Sequence, residues 1–177
     1  MSGIDSLNSY KKYGYFSDDA TEFIIKRPDT PRPWINYLSN GRFCSIISQT
    51  AGGYHFYLDP AYNRITRWEP ANYLKDSPGR YVYIRDNNTK GFWSAGYSPT
   101  KNSGKFECRH GLGYTVVSSE KDSIRSEMTF FVPMDDELEV WLVDIHNLRR
   151  EKADLTVFNF AEWFIGFWEP ELRLRNL

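Results

Sequence analysis

Apolar and polar residues alternate with a period of two in segment after segment of this 177-residue chain. The clearest case is 124–132, where Ile124, Met128 and Phe130 share one face and Arg125 and Glu127 share the other. Successive side chains of a β-strand point to opposite faces, so this alternation is typical of a half-buried strand. No stretch of about 12 residues or more shows the apolar period of an amphipathic helix. The pattern predicts an all-β protein.

The same reading predicts strands along most of the chain, separated by turn clusters rich in Asn, Asp, Gly and Pro. The predicted strands are 22–26, 43–49, 54–58, 63–68, 80–85, 105–110, 112–118, 124–132, 137–145 and 154–163. Their close spacing after residue 105 indicates an antiparallel meander and not parallel βαβ units. We therefore predict a large antiparallel β-sandwich.

Three segments carry more specific expectations. Residues 137–145 are apolar on both faces at Val140, Trp141 and Leu142, which predicts a central strand covered on both sides. Residues 28–42 contain repeated prolines, which lack the N–H that a sheet ladder needs, so we predict an ordered loop. The last twenty residues are rich in Phe and Trp, and we expect further chain to cover them, leaving the sandwich incomplete at this end.

Charge and size exclude several classes of protein. The chain has 22 basic and 23 acidic residues, a formal charge of -1, so it lacks the basic excess of a nucleic-acid binder. Its apolar runs are far shorter than the roughly 20 residues that cross a bilayer, and its start does not resemble a secretory signal. We expect no membrane partner, a cytoplasmic location and one domain. Cys44 and Cys108 have no ligand-spaced neighbours, so we expect buried free thiols and no metal site.

Carboxyl pairs that could cleave a glycosidic bond are scarce. Asp18 and Asp19, and likewise 135–137, fall in predicted turns, where adjacent acids are usually solvated. Glu162 lies between apolar residues of an aromatic strand, so it either pairs with a cation or lines a cleft. Aromatic residues make up 17% of the chain, which suits strands and also sugar-binding surfaces. Composition does not separate these two uses.

Seven motifs, in order along the chain, resemble the N-terminal region of the cellobiose and chitobiose phosphorylases, members of glycoside hydrolase family ninety-four. They are Tyr13-Gly14-Tyr15-Phe16, Arg27-Pro28-Asp29-Thr30-Pro31-Arg32-Pro33-Trp34-Ile35-Asn36-Tyr37-Leu38, Ile47-Ser48-Gln49-Thr50-Ala51-Gly52-Gly53-Tyr54, Tyr83-Ile84-Arg85-Asp86, Phe92-Trp93-Ser94, Cys108-Arg109-His110-Gly111-Leu112-Gly113-Tyr114 and Phe131-Val132-Pro133. Any one of these motifs is weak evidence. Their shared order from about residue 13 to about residue 165 makes the resemblance specific.

The resemblance implies a galactose-mutarotase-like super-sandwich followed by a helical linker and an (α/α)6 catalytic barrel. Such enzymes cleave a β-linked disaccharide with inorganic phosphate, invert the anomeric centre and release an α-sugar 1-phosphate and a free sugar. Their catalytic aspartate belongs to the barrel, so no catalytic residue is expected here. The expected partners are the disaccharide, phosphate, the barrel and a second copy in a homodimer. The resemblance implies no cofactor, with inorganic phosphate as the co-substrate.

Within this plan we expect a flexible tail at 1–12 and a sandwich domain at 13–177, with the helical barrel absent. The proline loop offers candidates for the wall of the sugar cleft, and a second motif adds two more. The candidates are Arg32, Trp34, Asn36, Tyr37, Arg109 and His110. Their rings, cations and amide suit sugar faces and hydroxyls, although a purely structural clamp explains them equally well. A free-standing carbohydrate-binding sandwich and a protein-interaction domain remain as alternatives.

Overall fold

The computed structural model describes residues 9–67, 79–102 and 104–166, which form a short 3-10 helix and fourteen strands. The helix is Ser9–Lys12, and the strands are β1 (Gly14–Phe16), β2 (Glu22–Ile25), β3 (Ile35–Ser39), β4 (Phe43–Ser48), β5 (Gly53–Tyr57), β6 (Arg64–Thr66), β7 (Arg80–Asp86), β8 (Phe92–Ser94), β9 (Phe106–Gly111), β10 (Tyr114–Lys121), β11 (Ile124–Phe131), β12 (Val140–Asn147), β13 (Leu155–Ala161) and β14 (Trp163–Gly166). The all-β prediction is confirmed. No helix in these ranges has the length or apolar character needed to cross a membrane.

The strands form three antiparallel sheets. The six-stranded sheet has the order β1-β2-β9-β10-β11-β12, the five-stranded sheet β14-β6-β5-β4-β3, and the three-stranded sheet β13-β7-β8. Consecutive strands β9 to β12 are neighbours, as the predicted meander requires. The predicted antiparallel sandwich is therefore confirmed, with a third, smaller sheet added to it.

The core lies where the inner faces of these sheets meet. Phe130 of β11, Ile47 of β4, Ile84 of β7 and Trp93 of β8 are all buried in one apolar cluster. Each such side chain contributes about 1.5–3 kcal/mol to stability by leaving water. Ser126, the polar residue on the buried face of β11, donates a hydrogen bond of 2.6 Å to the Ala95 carbonyl. The core therefore accepts this hydroxyl without leaving it unpaired.

Both cysteines behave as small core residues. Cys44 and Cys108 are buried and free, as the sequence predicted. Burial raises the pKa of the Cys44 thiol, which keeps it protonated near neutral pH.

The prediction of a central, doubly covered strand at 137–145 is wrong. The strand starts at Val140 and is the last of the six-stranded sheet, pairing with β11 on one side. Trp141 and Val143 pack against the core, whereas Leu142 is exposed on the opposite face. Apolar residues on both faces do not establish coverage, because the number of sheet neighbours is set by residues distant in sequence.

The prediction of a loop throughout 28–42 is wrong for Ile35–Ser39, which forms β3 and pairs with β4 at the end of the five-stranded sheet. Pro33 is the last proline of the run, so the following residues keep the N–H groups that a ladder needs. The expectation that this segment stays out of a sheet centre holds. The three-residue strands β1 and β8 were not predicted, because alternation is not visible over such short lengths.

Several expectations fall partly outside the described residues. Residues 1–8 of the predicted tail, Trp68 of a predicted strand and the aromatic residues after 166 lie outside them. Within the described residues, the Tyr10 ring of the short helix lies 6.1 Å from the Phe23 ring of β2.

The turn between β4 and β5 depends on one glycine. Gly53 has a φ of +123°, and a Cβ built there would lie 1.9 Å from the Ile46 carbonyl oxygen. Ala51 also has a positive φ, of 68°, and the Ser48 amide donates to the Gly52 carbonyl at 2.8 Å across the turn. The turn joins β4 and β5 as an antiparallel hairpin.

We expect Gly53→Ala to destabilise the protein by more than about 4 kcal/mol, because the β4 backbone must move away from the new Cβ. The matched control is Gly113→Ala, where φ is +86° but nothing lies within 4 Å of the new Cβ. That control should lose only about 1–2 kcal/mol of stability, which is the cost of placing a side chain on a backbone with left-handed φ. Urea unfolding measures both variants, and equal losses would contradict the close-approach argument.

Candidate functional site

Three polar side chains, one associated with each sheet, meet in the interior. Arg80 begins β7, His55 lies in β5, and Glu139 immediately precedes β12. Arg80 Nη1 and His55 Nε2 lie 3.3 Å and 2.5 Å from Glu139 Oε2. The Arg80 and Glu139 side chains are only 1% and 2% exposed. We call these three residues the Arg80 network. It joins the three-stranded sheet, the five-stranded sheet and the entry to β12.

Neighbouring residues satisfy the buried carboxylate. The Ser45 hydroxyl donates to Glu139 Oε1 at 2.5 Å, and the indole N–H of Trp141 donates to Glu139 Oε2. The guanidinium carbon of Arg80 also lies 5.5 Å from the centre of the Trp141 ring. Both carboxylate oxygens therefore have partners, which is the condition for keeping a charge in a buried position.

The network holds Glu139 in its charged form. Burial alone would raise the pKa of Glu139, but the Arg80 charge and the hydrogen bonds from His55 and Ser45 lower it to about 2. The pKa of His55 is lowered, first by burial and then by the Arg80 charge, with Glu139 opposing. Near neutral pH the network is therefore an ionised carboxylate, a guanidinium and a neutral imidazole.

A cleft of about 510 Å³ opens above this network. His55, Thr66, Glu139 and Trp141 line its buried part. Trp163 of β14, which is 70% exposed, lies at its open side. The remaining lining residues are Phe43, Ile65, Glu137, Leu138, Asn159 and Ala161. Aromatic rings combined with a few polar groups are typical of a small-molecule site, and rings with polar edges suit a sugar.

The rim of the cleft carries an exposed ion pair. Arg42 Nη2 lies 2.6 Å from Glu137 Oε1 and donates to the Tyr57 hydroxyl at 2.5 Å. Exposed pairs of this kind contribute at most about 1 kcal/mol, so this rim can rearrange around a ligand at small cost.

Glu139, the buried acid of the cleft, is suited to binding and not to proton donation. Glu139 is ionised, and a glycosidic bond needs a protonated acid at its leaving oxygen. Glu162, which the sequence assigned either to a cation or to a cleft, lies 3.7 Å from Arg67 and pairs with that cation. Asp19 accepts hydrogen bonds from Ser17 and Thr21 in the predicted turn. In the described ranges, no three His, Cys, Asp or Glu residues are grouped as metal ligands.

Three of the six predicted site residues come together away from this cleft. His110 Nε2 lies 3.0 Å from the Trp34 carbonyl oxygen, and its Nδ1 lies 3.0 Å from Thr115 Oγ1. The Asn36 amide donates to the Gly111 carbonyl at 2.9 Å and to Thr115 Oγ1 at 3.2 Å. These contacts bind β3 and the preceding loop to β9 and β10. They are the contacts of a structural clamp, the alternative that the sequence left open.

The other three predicted residues point elsewhere. Arg109 follows Glu107 on the face of β9 opposite His110 and pairs with Glu107 at 2.6 Å and Glu22 at 3.3 Å. Tyr37 and Arg32 are exposed. None of the six lines the 510 Å³ cleft. Their role at a sugar site stays a prediction.

Sequence reasoning missed the Arg80 network, although its signal was visible. Arg80 alternates in phase with Val82 and Ile84, which are buried, and Glu139 alternates in phase with Trp141 and Val143. A charged residue on the core face of a strand requires a partner inside the protein. The alternation pattern of each strand could have identified Arg80 and Glu139 as buried charges, but it could not have shown that they pair with each other.

We expect Glu139→Gln to lower the free energy of unfolding by about 3–5 kcal/mol at pH 7, because Arg80 would keep a buried charge without its counterion. Urea unfolding measures this change. The matched control is Glu127→Gln, which breaks a more exposed 3.0 Å pair with Arg125 and should change stability by less than about 0.5 kcal/mol.

The lowered pKa of Glu139 also predicts that the free energy of unfolding depends on pH. The pKa of Glu139 is about 2 in the folded protein, against 4.5 for the free side chain. Its contribution, about 3 kcal/mol, is complete above pH 4.5 and is lost as the pH falls towards 2. The slope of stability against pH in this window should be smaller in Glu139→Gln. Identical slopes in the two proteins would contradict the charged-network model.

His110 predicts a second, separate window. Burial lowers the pKa of His110 from 6.5 to about 4, against the hydrogen bond to the Trp34 carbonyl. The unfolded chain therefore binds a proton before the folded one does, and stability falls by up to about 3 kcal/mol as the pH drops from 6.5 to 4. His110→Gln should reduce this decline and leave the part due to His55, whose pKa is also lowered by burial, whereas His146→Gln, at an exposed position, should retain all of it. Urea unfolding at several pH values tests both.

Comparison with known proteins places this geometry in a family. Residues 21–172 match the family model for the glycosyl hydrolase 94 supersandwich domain. The chain is 41% identical over 155 residues to an N,N'-diacetylchitobiose phosphorylase of Vibrio furnissii and equally to one of Vibrio proteolyticus, in both cases over 86% of this chain. It is 34% identical over 153 residues to a 3-O-beta-D-glucopyranosyl-beta-D-glucuronide phosphorylase of Paenibacillus borealis, again over 86% of this chain.

In each of these comparisons the chain spans about a fifth of the relative's length, 19%. The family match covers most of the chain and includes the strands that carry the Arg80 network and the cleft. The chain belongs to the glycosyl hydrolase 94 supersandwich domain family.

Proposed function

We propose that this chain is the sandwich domain of a cytoplasmic disaccharide phosphorylase. The whole enzyme would cleave a β-linked disaccharide with inorganic phosphate, with inversion, to an α-sugar 1-phosphate and a free sugar. The observation that carries the proposal is the 41% identity, across 86% of the chain, to an N,N'-diacetylchitobiose phosphorylase. Relatives named as phosphorylases of other disaccharides support the same reaction class.

The domain would bind and position sugar without carrying out the reaction. A helical barrel of the same protein would supply the catalytic acid, and phosphate would attack as the nucleophile, so one acid would suffice. The ionised state of Glu139 supports this division of labour, because a carboxylate that stays ionised beside Arg80 does not donate a proton to a leaving group near neutral pH.

The cleft would hold one side of the sugar site. The exposed Trp163 ring presents a flat apolar surface to the C–H face of a pyranose, and the exposed Asn159 amide lies along the same cleft. Rings select the sugar face, and short polar side chains bind its hydroxyl groups. The Arg80 network would keep Trp141 and the cleft wall in place.

The domain would also take part in assembly with the barrel and with a second copy of the protein. Among the described residues the outer edge of β12 has no neighbouring strand, and Leu142 is exposed beside it. Open edges of this kind pair readily with other chains unless something covers them. We propose that this edge is covered in the assembled enzyme.

The coding sequence after Leu177 tests the proposal directly. We expect it to encode an (α/α)6 region with an aspartate in a tryptophan-rich context. Purified residues 1–177 should then release no sugar 1-phosphate from chitobiose or cellobiose with phosphate, whereas the full gene product should do so. A stop codon at this point, or turnover by the 177-residue chain, contradicts the proposal.

In the full gene product we expect Trp163→Ala to raise KM for the disaccharide about tenfold, the loss of one good stacking contact. The effect on kcat should be smaller, because Trp163 would contact the sugar away from the bond that breaks. The matched control is Phe16→Ala, an exposed ring of β1 outside the cleft, which should leave KM unchanged. Steady-state phosphorolysis measures both, and an unchanged KM in Trp163→Ala would remove this residue from the sugar site.

A free-standing carbohydrate-binding sandwich is the second candidate, because the cleft and its rings lie entirely within this chain. It requires that no barrel follows and that the isolated chain binds a disaccharide. Titration calorimetry with N,N'-diacetylchitobiose, repeated on Trp163→Ala, tests the sugar binding that it needs, and the coding sequence after Leu177 separates it from the first proposal.

A further inference from the structure

The outer face of the three-stranded sheet is rich in aromatic side chains. Alternate residues of β7 point inwards at Val82 and Ile84, so Tyr81, Tyr83 and Arg85 share the outer face. The neighbouring strands add further rings by register, with Phe160 opposite Tyr81, Phe158 opposite Tyr83 and Phe92 opposite Arg85. We call Tyr81, Tyr83, Phe92, Phe158 and Phe160 the aromatic platform.

The rings of the platform contact one another and remain open to solvent. Tyr81 and Phe160 stack with centroids 5.5 Å apart and planes 11° apart, and Tyr83 meets Phe92 edge-on at 6.4 Å. Phe92, Phe158 and Phe160 are nevertheless 66%, 49% and 45% exposed. A contiguous exposed apolar surface of this kind usually marks a binding site.

Two cations stand beside these rings. Arg85 and Lys90, together with Tyr83, Phe92 and Phe158, line an open cavity of about 510 Å³. No ion pair or side-chain hydrogen bond joins Arg85 or Lys90 to another residue in the described parts of the chain, and no acid lines the cavity. The surface therefore combines apolar rings with positive charge that lacks an anion.

The turn after β7 fixes the backbone of Lys90. Lys90 has a φ of 64°, which is unusual for a residue with a side chain, and its amide donates to the Asp86 carbonyl at 2.9 Å. The Asp86 carboxylate accepts hydrogen bonds from the Asn88 and Thr89 amides and from Arg149. A strained backbone conformation fixed by its surroundings is common at binding sites.

We infer that the aromatic platform binds a carbohydrate that carries an anionic group, its ring stacked on Phe92 and Phe158 and its phosphate or carboxylate held between Arg85 and Lys90. A neutral sugar would leave both cations without a counterion, and a bare anion would leave the rings uncovered. Only a ligand with both features uses the whole surface. The cleft above the Arg80 network shares no residue with this cavity, so the inference is independent of the proposed function.

Titration of the 177-residue chain with four probes tests the inference. The probes are glucose 1-phosphate, glucuronate, glucose and inorganic phosphate, and binding is measured by calorimetry and by ligand-observed NMR. We expect at least one anionic sugar to bind about tenfold or more tightly than both glucose and inorganic phosphate. The first two probes separate a phosphate from a carboxylate, and preferential binding of either supports the inference.

Variants assign the binding to this surface. Arg85→Gln and Lys90→Gln should each weaken binding of the anionic sugar about tenfold. Both should leave the thermal midpoint of unfolding unchanged, because both side chains are exposed. Phe158→Ala should weaken binding as well. The matched controls are Arg125→Gln and Phe16→Ala, an exposed cation and an exposed ring of the six-stranded sheet, which should bind as the original chain does.

Three results would overturn the inference. The first is no binding of either anionic sugar, and the second is binding unaffected by both charge variants. The third is inorganic phosphate binding as tightly as the anionic sugar. Analytical sedimentation gives an independent check of whether the chain self-associates. Self-association that Phe158→Ala abolishes would identify the platform as a protein interface and overturn the inference. Should Phe158→Ala fail to fold, the two charge variants still decide the outcome.

Discussion

The buried pair of Arg80 and Glu139 is the contact on which the arrangement of the three sheets depends. Removing two charges from water is costly, and their attraction offsets that cost only when the geometry is good and the remaining polar atoms are satisfied. Here Ser45, His55 and Trp141 provide those contacts. Because the partners come from different sheets, the pair favours one relative placement of the sheets over others that apolar packing alone would tolerate. The cleft above the network exists because of that placement.

A second polar junction works by the same principle with neutral groups. Asn36 and His110 connect the edge strand β3 to β9 and β10 through backbone carbonyls and Thr115. Residues that looked suited to sugar in the sequence are thus bound to the protein itself. The same chemistry serves both purposes, since an amide that can bind a hydroxyl can equally bind a peptide carbonyl.

The two candidate ligand surfaces differ in their electrostatics. The cleft is built over a network whose charges already neutralise one another, so it suits the hydroxyl-rich surface of a neutral sugar. The aromatic platform carries Arg85 and Lys90, which have no counterion among the described residues, and it suits an anionic ligand.

The sequence by itself determined the class of fold, most strand positions and the family resemblance, because period-two alternation and short motifs are local properties of the chain. It placed Met128 and Phe130 on a buried face. Only the tertiary structure decided that β12 is an edge strand and that β3 pairs with β4. Only it brought Arg80, His55 and Glu139 together, from positions 25 to 84 residues apart. Alternation specifies which face a side chain occupies but not which strand lies beside it, since antiparallel pairing joins residues that are distant in sequence.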